Sequence, residues 1–268
     1  MPNFAHTFTS NPQNKELETQ NAQAKDFFNR IADSYKDKYG EQNAFHHYFF
    51  NERLEKASRG FDFQDAKVLD IGTGTGDLYD HLKAINPDIE FFGTDIAENM
   101  MAQSNIPEDH RFVGRAGSLE IPEQDFDFIY MLGVTTYLPA DEMKATLDFI
   151  HEKLKPGGKA ILTFTYSQSF DNFTRTLLKF PIRLIKAKGA VMGQGFRIYK
   201  YSLEGALKMV GSKFVVKEVR YLNHTVFPFN LLFKKTSVQQ AKRIDQKNDG
   251  WWLRRMSSDF MLVMEKKK

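Results

Sequence analysis

Apolar positions recur along this chain with two alternating periods, which predict strands and helices in turn. Val68, Leu69 and Ile71 form a short apolar run that ends at a glycine, and Leu78 and Leu82 follow at helical spacing. Six further apolar runs predict strands: IEFFGTD, HRFVG, FDFIYM, KAILTFTY, KFVVKEVRYL and DFMLVMEKK. Strands and helices that alternate in this way predict one α/β domain.

The same pattern divides the 268 residues into regions. Residues 1–22 are polar and show no periodicity, so we expect a flexible tail before a domain that spans residues 23–268. Phe27, Ile31 and Tyr35 share one helical face, which predicts a helical region over residues 23–60 that packs on the rest of the domain. Residues 167–203 predict a basic insertion, and residues 222–257 predict an apolar loop or insertion.

The composition limits the kinds of reaction and ligand that the chain can support. The chain has no cysteine, which excludes thiolate catalysis, disulfides and cysteine-ligated metal sites, and we expect no metal centre. A net charge of +3 is too small to indicate nucleic-acid binding. We expect a cytoplasmic protein, because the sequence shows neither a leader pattern nor an apolar run of about 18 residues.

The glycine-rich turn after the first strand is the main chemical motif. It reads Asp70-x-Gly72-x-Gly74-x-Gly76, followed by Asp77. A phosphate-binding loop requires lysine followed by serine or threonine there, and the dinucleotide motif requires glycine or alanine at position 77. An aspartate before bare main chain instead suits a cationic ligand.

This motif resembles motif I of the class I S-adenosylmethionine (SAM) methyltransferases, and the resemblance extends over about residues 24 to 166. It implies an enzyme with SAM as cofactor. It also implies a doubly wound, Rossmann-like sheet of seven strands with the last strand antiparallel, a helical cap, and a lid inserted after the fifth strand. The cap resembles that of the quinone C-methyltransferases and their small-molecule relatives.

The resemblance also implies a set of cofactor-binding residues. Asp95, at the end of the second strand, is predicted to accept hydrogen bonds from the ribose hydroxyls. Arg115 stands where many relatives have an aspartate that binds adenine, so main chain near Ala116 and Gly117 is predicted to hold that base. The complete predicted set is Tyr35, Asp70, Gly72, Thr73, Gly74, Gly76, Asp95, Ile96, Met100, Ala116, Gly117 and Leu132.

One histidine is the candidate general base. His224 follows the sixth strand, at a position where α/β folds place catalytic groups. A neutral imidazole could take a proton from a phenol, hydroxyl or ammonium acceptor, whereas a carboxylate acceptor needs no base. His46 and His47 in the cap are the alternatives.

The predicted reaction is methyl transfer to an oxygen or nitrogen of a small metabolite that is anionic or partly apolar. Two alternatives stay open: C-methylation of a lipid-like quinone, and a catalytically silent SAM-binding scaffold. Residues 172–203 contain seven basic residues and no acidic one. Three interpretations of this segment compete: a solvated face, a wall that selects an anionic acceptor, and a peripheral membrane contact. The sequence leaves the oligomeric state open.

Overall fold

The computed structural model describes residues 12–40, 42–185, 197–247 and 250–267. The strands are β1 (Lys67–Ile71), β2 (Glu90–Asp95), β3 (Arg111–Val113), β4 (Phe126–Met131), β5 (Leu154–Thr165), β6 (Phe214–Leu222) and β7 (Asp259–Lys266). The α-helices are α1 (Pro12–Lys38), α2 (Ala44–Ser58), α3 (Asp77–Ile85), α4 (Glu98–Ala102), α5 (Ala140–Lys153), α6 (Phe170–Ile185), α7 (Leu203–Val210), α8 (Phe229–Leu232), α9 (Lys234–Lys247) and α10 (Trp251–Met256).

All seven strands form one sheet in the order β3-β2-β1-β4-β5-β7-β6. Neighbouring strands from β3 to β5 pair in parallel, whereas β7 pairs antiparallel with both β5 and β6. The predicted seven-stranded, doubly wound sheet with an antiparallel last strand is therefore confirmed. Because β7 runs in the opposite direction, its first residue lies at the same edge as the carboxyl ends of the other strands.

Side-chain alternation along β1 explains why helices cover both faces of the sheet. Leu69 belongs to an apolar core that includes Leu147 of α5 and Val210 of α7. Val68 points the other way and belongs to a second core with Leu82 of α3 and Leu54 of α2. With both faces buried, the carboxyl edge of the sheet is the place where a ligand can reach the strands.

The N-terminal helix begins earlier than the sequence suggests, so the predicted flexible tail is wrong for residues 12–22. The side-chain amide of Gln20 donates to the main-chain oxygens of Arg197 (2.8 Å) and Tyr137 (3.1 Å). Its Oε1 accepts the Arg197 main-chain N–H at 3.1 Å. A helical segment that is attached through polar side chains shows no apolar periodicity, so the sequence pattern does not predict it. The tail prediction for residues 1–11 lies outside the described residues.

The two later insertions are largely helical. After β5 the chain forms α6, as the lid prediction requires, and residues 186–196 lie outside the described residues. The region predicted as an apolar loop contains the end of β6 and the helices α8, α9 and α10. Within the described ranges, no helix has the length and apolar character needed to cross a lipid bilayer.

Candidate functional site

The glycine loop turns the chain from β1 into α3 with left-handed backbone. Gly72 and Gly74 have φ values of 75° and 55°, a region that disfavours β-branched residues. A β-carbon at Gly72 would overlap the side chain of Val134, and one at Gly74 would lie 3.4 Å from Met100 Cε. Gly76 instead packs on Ser104 and does not line the cavity described below. The loop thus presents bare main chain at two positions.

Asp95 is held at the end of β2 by main-chain donors. Its Oδ2 accepts the N–H of Gly74 and its Oδ1 accepts the N–H of Ala97, both at 2.8 Å. Burial raises the pKa of this carboxyl, while these hydrogen bonds oppose the rise. Each oxygen keeps one further acceptor position, so the side chain can receive two vicinal hydroxyls.

Asp70 and Thr73 lie behind the loop rather than on the cavity wall. Asp70 Oδ1 and Thr73 Oγ1 are buried and have no hydrogen-bond partner among the described residues. Burial raises the pKa of Asp70 to about 7. The Thr73 hydroxyl opposes this rise, and a cationic ligand nearby would oppose it further, since a positive charge stabilises the ionised form of a buried carboxyl.

One cavity of about 1150 Å³ follows the carboxyl edge of the sheet. It exceeds the roughly 300–1,000 Å³ of a typical small-ligand pocket. Its walls span the ends of β2, β1, β4, β5 and β7, four strand spacings or roughly 19 Å. We call the part near β1 and β2 the cofactor half and the part near β5, β6 and β7 the acceptor half. Predicted residues that line the cavity are Tyr35, Gly72, Gly74, Asp95, Ile96, Met100 and Leu132.

Helix α1 covers the cofactor half. Phe28, Ala32 and Tyr35 pack against Ile96 and Met100 near the end of β2. The Asn99 main-chain N–H donates to Asn29 Oδ1 at 3.0 Å and fixes α1 to α4. The cap therefore forms a lid of packed side chains over the place where Asp95 ends the strand.

The predicted adenine edge differs from the sequence expectation. Gly117 does not line the cavity, because its turn packs on α5, where a β-carbon at Gly117 would lie 3.1 Å from Ala145 Cβ. The prediction for the Ala116 side chain lies outside the described side chains. Gly114 and Arg115 line the cavity instead. Arg115 Nε lies 3.9 Å from Glu142 Oε1, so its charge is partly balanced at this wall.

His224 points away from the cavity. Asn223 adopts a left-handed φ of 55° and lines the cavity, and the next side chain is directed to the opposite side. His224 Nδ1 is buried without a hydrogen-bond partner, 4.0 Å from Asp245 Oδ1. Burial lowers the pKa of His224 to about 4. The structure therefore does not bring the predicted base together with the cofactor residues.

The alternative bases do not line the cavity either. His46 and His47 belong to α2, and neither is part of the cavity wall. His47 Nδ1 lies 3.0 Å from the main-chain oxygen of Tyr39, and its Nε2 lies 3.0 Å from Asn51 Nδ2. Both ring nitrogens of His47 thus have partners in the cap.

The groups around His224 form a buried ion cluster. Glu52, His224 and Asp245 offer possible ligand atoms within 4.8 Å of one another. Lys56 lies among them, and its ammonium donates to Glu52 Oε1 at 2.9 Å and to Asp245 Oδ1 at 2.5 Å. Because this ammonium already balances the carboxylates, the cluster is better suited to joining α2 and α9 than to binding a metal cation.

Two charged residues that sequence reasoning missed lie in the acceptor half. Arg53 of α2 stacks on Phe49, with 4.4 Å from the guanidinium carbon to the ring centre, and no described residue accepts a hydrogen bond from it. Asp259 is the first residue of β7 and accepts a hydrogen bond from Ser258 Oγ at 2.7 Å. Burial raises the pKa of Asp259, and the charge of Arg53 opposes that rise.

Helix α6 closes the acceptor half from the side. Asp171 Oδ2 accepts from Arg175 Nε at 2.6 Å, and its Oδ1 accepts the Phe227 main-chain N–H at 2.8 Å. The Arg175 guanidinium lies 4.7 Å from the centre of the Phe227 ring. Asp171, Arg175 and Phe227 all line the cavity, so the lid helix and the segment after β6 share one wall.

Comparison with known proteins agrees with this arrangement. Residues 69–160, which include the end of β1, the glycine loop, Asp95 and β4, match the family model described as a methyltransferase domain. Demethylmenaquinone methyltransferase from Thermotoga maritima is 24% identical over 158 residues, which are 58% of this chain and 68% of that protein.

Two solved structures share the fold. Magnesium protoporphyrin IX methyltransferase from Synechocystis PCC 6803, with bound S-adenosylhomocysteine, superposes with a TM-score of 0.60 at 15% identity, over 92% of this chain and 100% of that chain. Phosphoethanolamine N-methyltransferase 2 from Haemonchus contortus gives 0.54 at 16% identity, over 90% of this chain and 60% of that chain. Residues 69–160 thus match a methyltransferase domain, and the chain as a whole shares the fold of these solved methyltransferases.

Proposed function

We propose that the chain transfers the methyl group of SAM to an oxygen or nitrogen of a small, partly apolar acceptor that carries a negative charge. The observation that carries this proposal is the continuity of the cavity. One space joins the glycine loop and Asp95 to a second compartment with Arg53, Asp259 and several aromatic rings. An enzyme that aligns two ligands needs such an arrangement.

In the cofactor half, Asp95 would receive the ribose hydroxyls, and the bare main chain at Gly72 and Gly74 would lie against the ligand. The buried Asp70 carboxyl would be held in its ionised form by the positive charge of the donor. Tyr35 would close the site from α1. We retain Thr73, Gly76 and Gly117 as residues that shape this half from behind rather than as direct contacts, because none of them lines the cavity. Main chain near Ala116 stays a proposed contact of the base.

In the acceptor half, Arg53 would bind the negative group of the acceptor. Its guanidinium lines the cavity and has no hydrogen-bond acceptor among the described residues, and a planar guanidinium binds a carboxylate or phosphate through two parallel hydrogen bonds. Phe49 and Phe227 provide apolar contact for the remainder of the molecule. This combination supports an acceptor with an anionic end and an apolar body.

Asp259 is our candidate for the general base. The methyl donor supplies a sulfonium group that loses its charge on transfer, so the protein needs no acid for the leaving group. A hydroxyl or ammonium acceptor must still release a proton. Asp259 faces the cavity, and burial raises its pKa above that of a free carboxyl, which makes it a stronger base.

A second candidate is C-methylation of a lipid-like quinone. It is favoured by the similarity to the Thermotoga maritima demethylmenaquinone methyltransferase. The apolar lining of the acceptor half would suit such a ring. A carbon acceptor also loses a proton, so Asp259 would serve this reaction as well, and only the product distinguishes the two candidates.

Methyl transfer from tritiated SAM to a panel of carboxylated phenols, carboxylated amines and demethylated quinols tests the proposal. With the best acceptor, Asp259→Asn should lower kcat by about 10²–10⁴-fold, the usual contribution of a general base, and leave the Kd for SAM unchanged. Arg53→Gln should instead raise KM for the anionic acceptor. Asp88→Asn, an exposed carboxylate far from the cavity, is the matched control.

Either of two results would count against the proposal. Label appearing on carbon in a quinol, and in no phenol or amine, would replace it by the second candidate. Full kcat in Asp259→Asn with a phenolic or amine acceptor would remove Asp259 as the base.

A further inference from the structure

Two helices beside the acceptor half expose apolar side chains to solvent. Phe173 and Leu177 on α6, and Trp251 and Trp252 on α10, are each more than half exposed. Phe170 joins the two helices, because its ring stacks on Trp252 with ring centres 5.5 Å apart. Phe170, Phe173 and Leu177 follow helical spacing, so the exposed face of α6 continues into the tryptophans of α10.

A second exposed group follows on α8. Phe229, Leu231, Leu232 and Phe233 are each half exposed or more. The segment before α8 is fixed to α6 through Phe227, whose N–H donates to Asp171 and whose ring lies under Arg175. We call the exposed apolar residues of α6, of α8 with the residue that follows it, and of α10 the apolar rim: Phe173, Leu177, Phe229, Leu231, Leu232, Phe233, Trp251 and Trp252. Apolar exposure on this scale marks an interaction surface.

The charged residues that directly follow the apolar rim along the chain are basic. Arg254 and Arg255 follow the tryptophans on α10, and Lys234 and Lys235 follow α8 directly. Among the side chains described on α6, α8 and α10, Asp171 is the one acid, and it is buried and already paired with Arg175. The sequence from 172 to 203, part of which lies outside the described residues, adds basic residues and no acid.

We propose that the apolar rim docks on the surface of a bilayer that contains anionic phospholipids. Tryptophan and phenylalanine favour the boundary between headgroups and acyl chains, and basic residues beside them gain from the negative headgroups. A second copy of the chain is a poorer occupant, because like charges would face each other around the contact. An anionic bilayer satisfies both the apolar and the basic part of this surface.

The docking does not depend on the proposed acceptor chemistry, but it would orient the cavity relative to the bilayer. Asn172, Arg175 and Thr176 of α6 line the acceptor half, while Phe173 and Leu177 on the same helix belong to the apolar rim. A docked chain would therefore hold the acceptor half next to the bilayer. An amphiphilic acceptor could enter without crossing bulk water.

Vesicle co-sedimentation of the full chain, without methyl donor or acceptor, tests the docking. We expect binding to vesicles of phosphatidylcholine mixed with phosphatidylglycerol, weaker binding to phosphatidylcholine alone, and a loss of binding as salt is raised. Leu177→Ser combined with Trp251→Ser should lower the affinity by about tenfold or more. Arg254→Glu should lower binding to the mixed vesicles only.

The controls are matched in kind. Ile85→Ser replaces an equally exposed apolar residue on α3, and Lys144→Glu reverses an exposed charge on α5. Both should bind as the unchanged chain does. Circular dichroism and the thermal transition verify that each variant is folded.

Three outcomes would overturn the inference: no binding of the folded chain to mixed vesicles, equal loss in the rim variants and their controls, or a dimer by light scattering that the rim variants dissociate while vesicles bind none of them. The third outcome would assign the apolar rim to self-association. Because vesicle binding is measured without a reaction, a failure of the proposed methyl transfer leaves this test intact.

Discussion

Neighbouring side chains at the end of β6 differ in direction, and this difference decides which of them can meet a ligand. Asn223 lines the cavity, whereas His224 is turned toward Lys56 and Asp245. The pKa of His224 is lowered to about 4 first by burial and then by the charge of Lys56. A histidine in this environment stays neutral for structural reasons, and its neutrality is no sign of catalysis.

This leads to a prediction about stability and pH. The folded chain keeps His224 neutral down to about pH 4, whereas the unfolded chain protonates it near 6.5. The unfolded state therefore binds more protons between these values, and the free energy of unfolding falls as pH falls from about 6.5 to about 4. His224→Gln should remove up to about 3 kcal/mol of this dependence in urea unfolding series.

The same variant separates a structural histidine from a base. We expect kcat of His224→Gln to change by less than about tenfold, well below the 10²–10⁴-fold effect of a lost general base. Asp259→Asn, measured beside it, provides the scale of a lost base. A fall of that size in His224→Gln, with a folded protein, would return His224 to the reaction.

At the scale of elements, α1 is attached by polar contacts at one end and apolar contacts in its middle. Gln20 binds the main chain at Tyr137 and Arg197, while Phe28 and Tyr35 pack near Met100. Three side-chain hydrogen bonds at one residue join the cap, the loop after β4 and the segment before α7. We therefore expect this junction to limit how often the cap opens over the cofactor half.

Removing the junction should loosen the cap without unfolding the sheet. Gln20→Ala should speed amide hydrogen exchange in α1 and weaken SAM binding by about tenfold, since lost hydrogen bonds contribute about 1 kcal/mol each and an open cap lowers the competent fraction. Gln23→Ala, exposed on the same helix, is the control. Unchanged exchange in α1 would mean that the apolar contacts alone hold the cap closed.

The elements that the sequence predicted well are those with apolar signatures. β1 to β7 appear as apolar runs bounded by glycine or charge, and both cores confirm them. The start of α1 and the helices α8 to α10 were not predicted, because polar anchors hold the former and exposed apolar residues mimic a loop in the latter. The periodicity of apolar residues reveals buried faces, whereas these segments are held by polar contacts or carry exposed apolar residues.

At the scale of the whole molecule, the sheet order explains the site. The carboxyl ends of the parallel strands bring Gly72, Asp95 and Leu132 to one edge. Asp259 joins them from the opposite chain direction, because β7 is antiparallel and starts where its neighbours end. A search limited to the last residues of strands misses Asp259, because it is the first residue of its strand. The antiparallel last strand expected from the sequence already implied that this first residue lies at the same edge. The sequence does not identify Arg53 as a site residue, because a single arginine on a helix is usually exposed to solvent.

The cavity crosses the sheet edge, so a bound ligand should stabilise the whole chain. S-adenosylhomocysteine at about a hundredfold excess over its Kd should add about 2.7 kcal/mol to the free energy of unfolding and raise Tm by about 5–10 °C. Gly74→Val should abolish this shift, because its side chain would extend into the ligand space at a strained φ of 55°. Gly60→Val is the matched control: Gly60 has a similar left-handed φ of 77° and open space around it, so the variant should lose stability but keep the full ligand shift. A full shift in folded Gly74→Val would place the cofactor elsewhere on the chain, whereas its loss in that variant alone would identify the glycine loop as the binding surface.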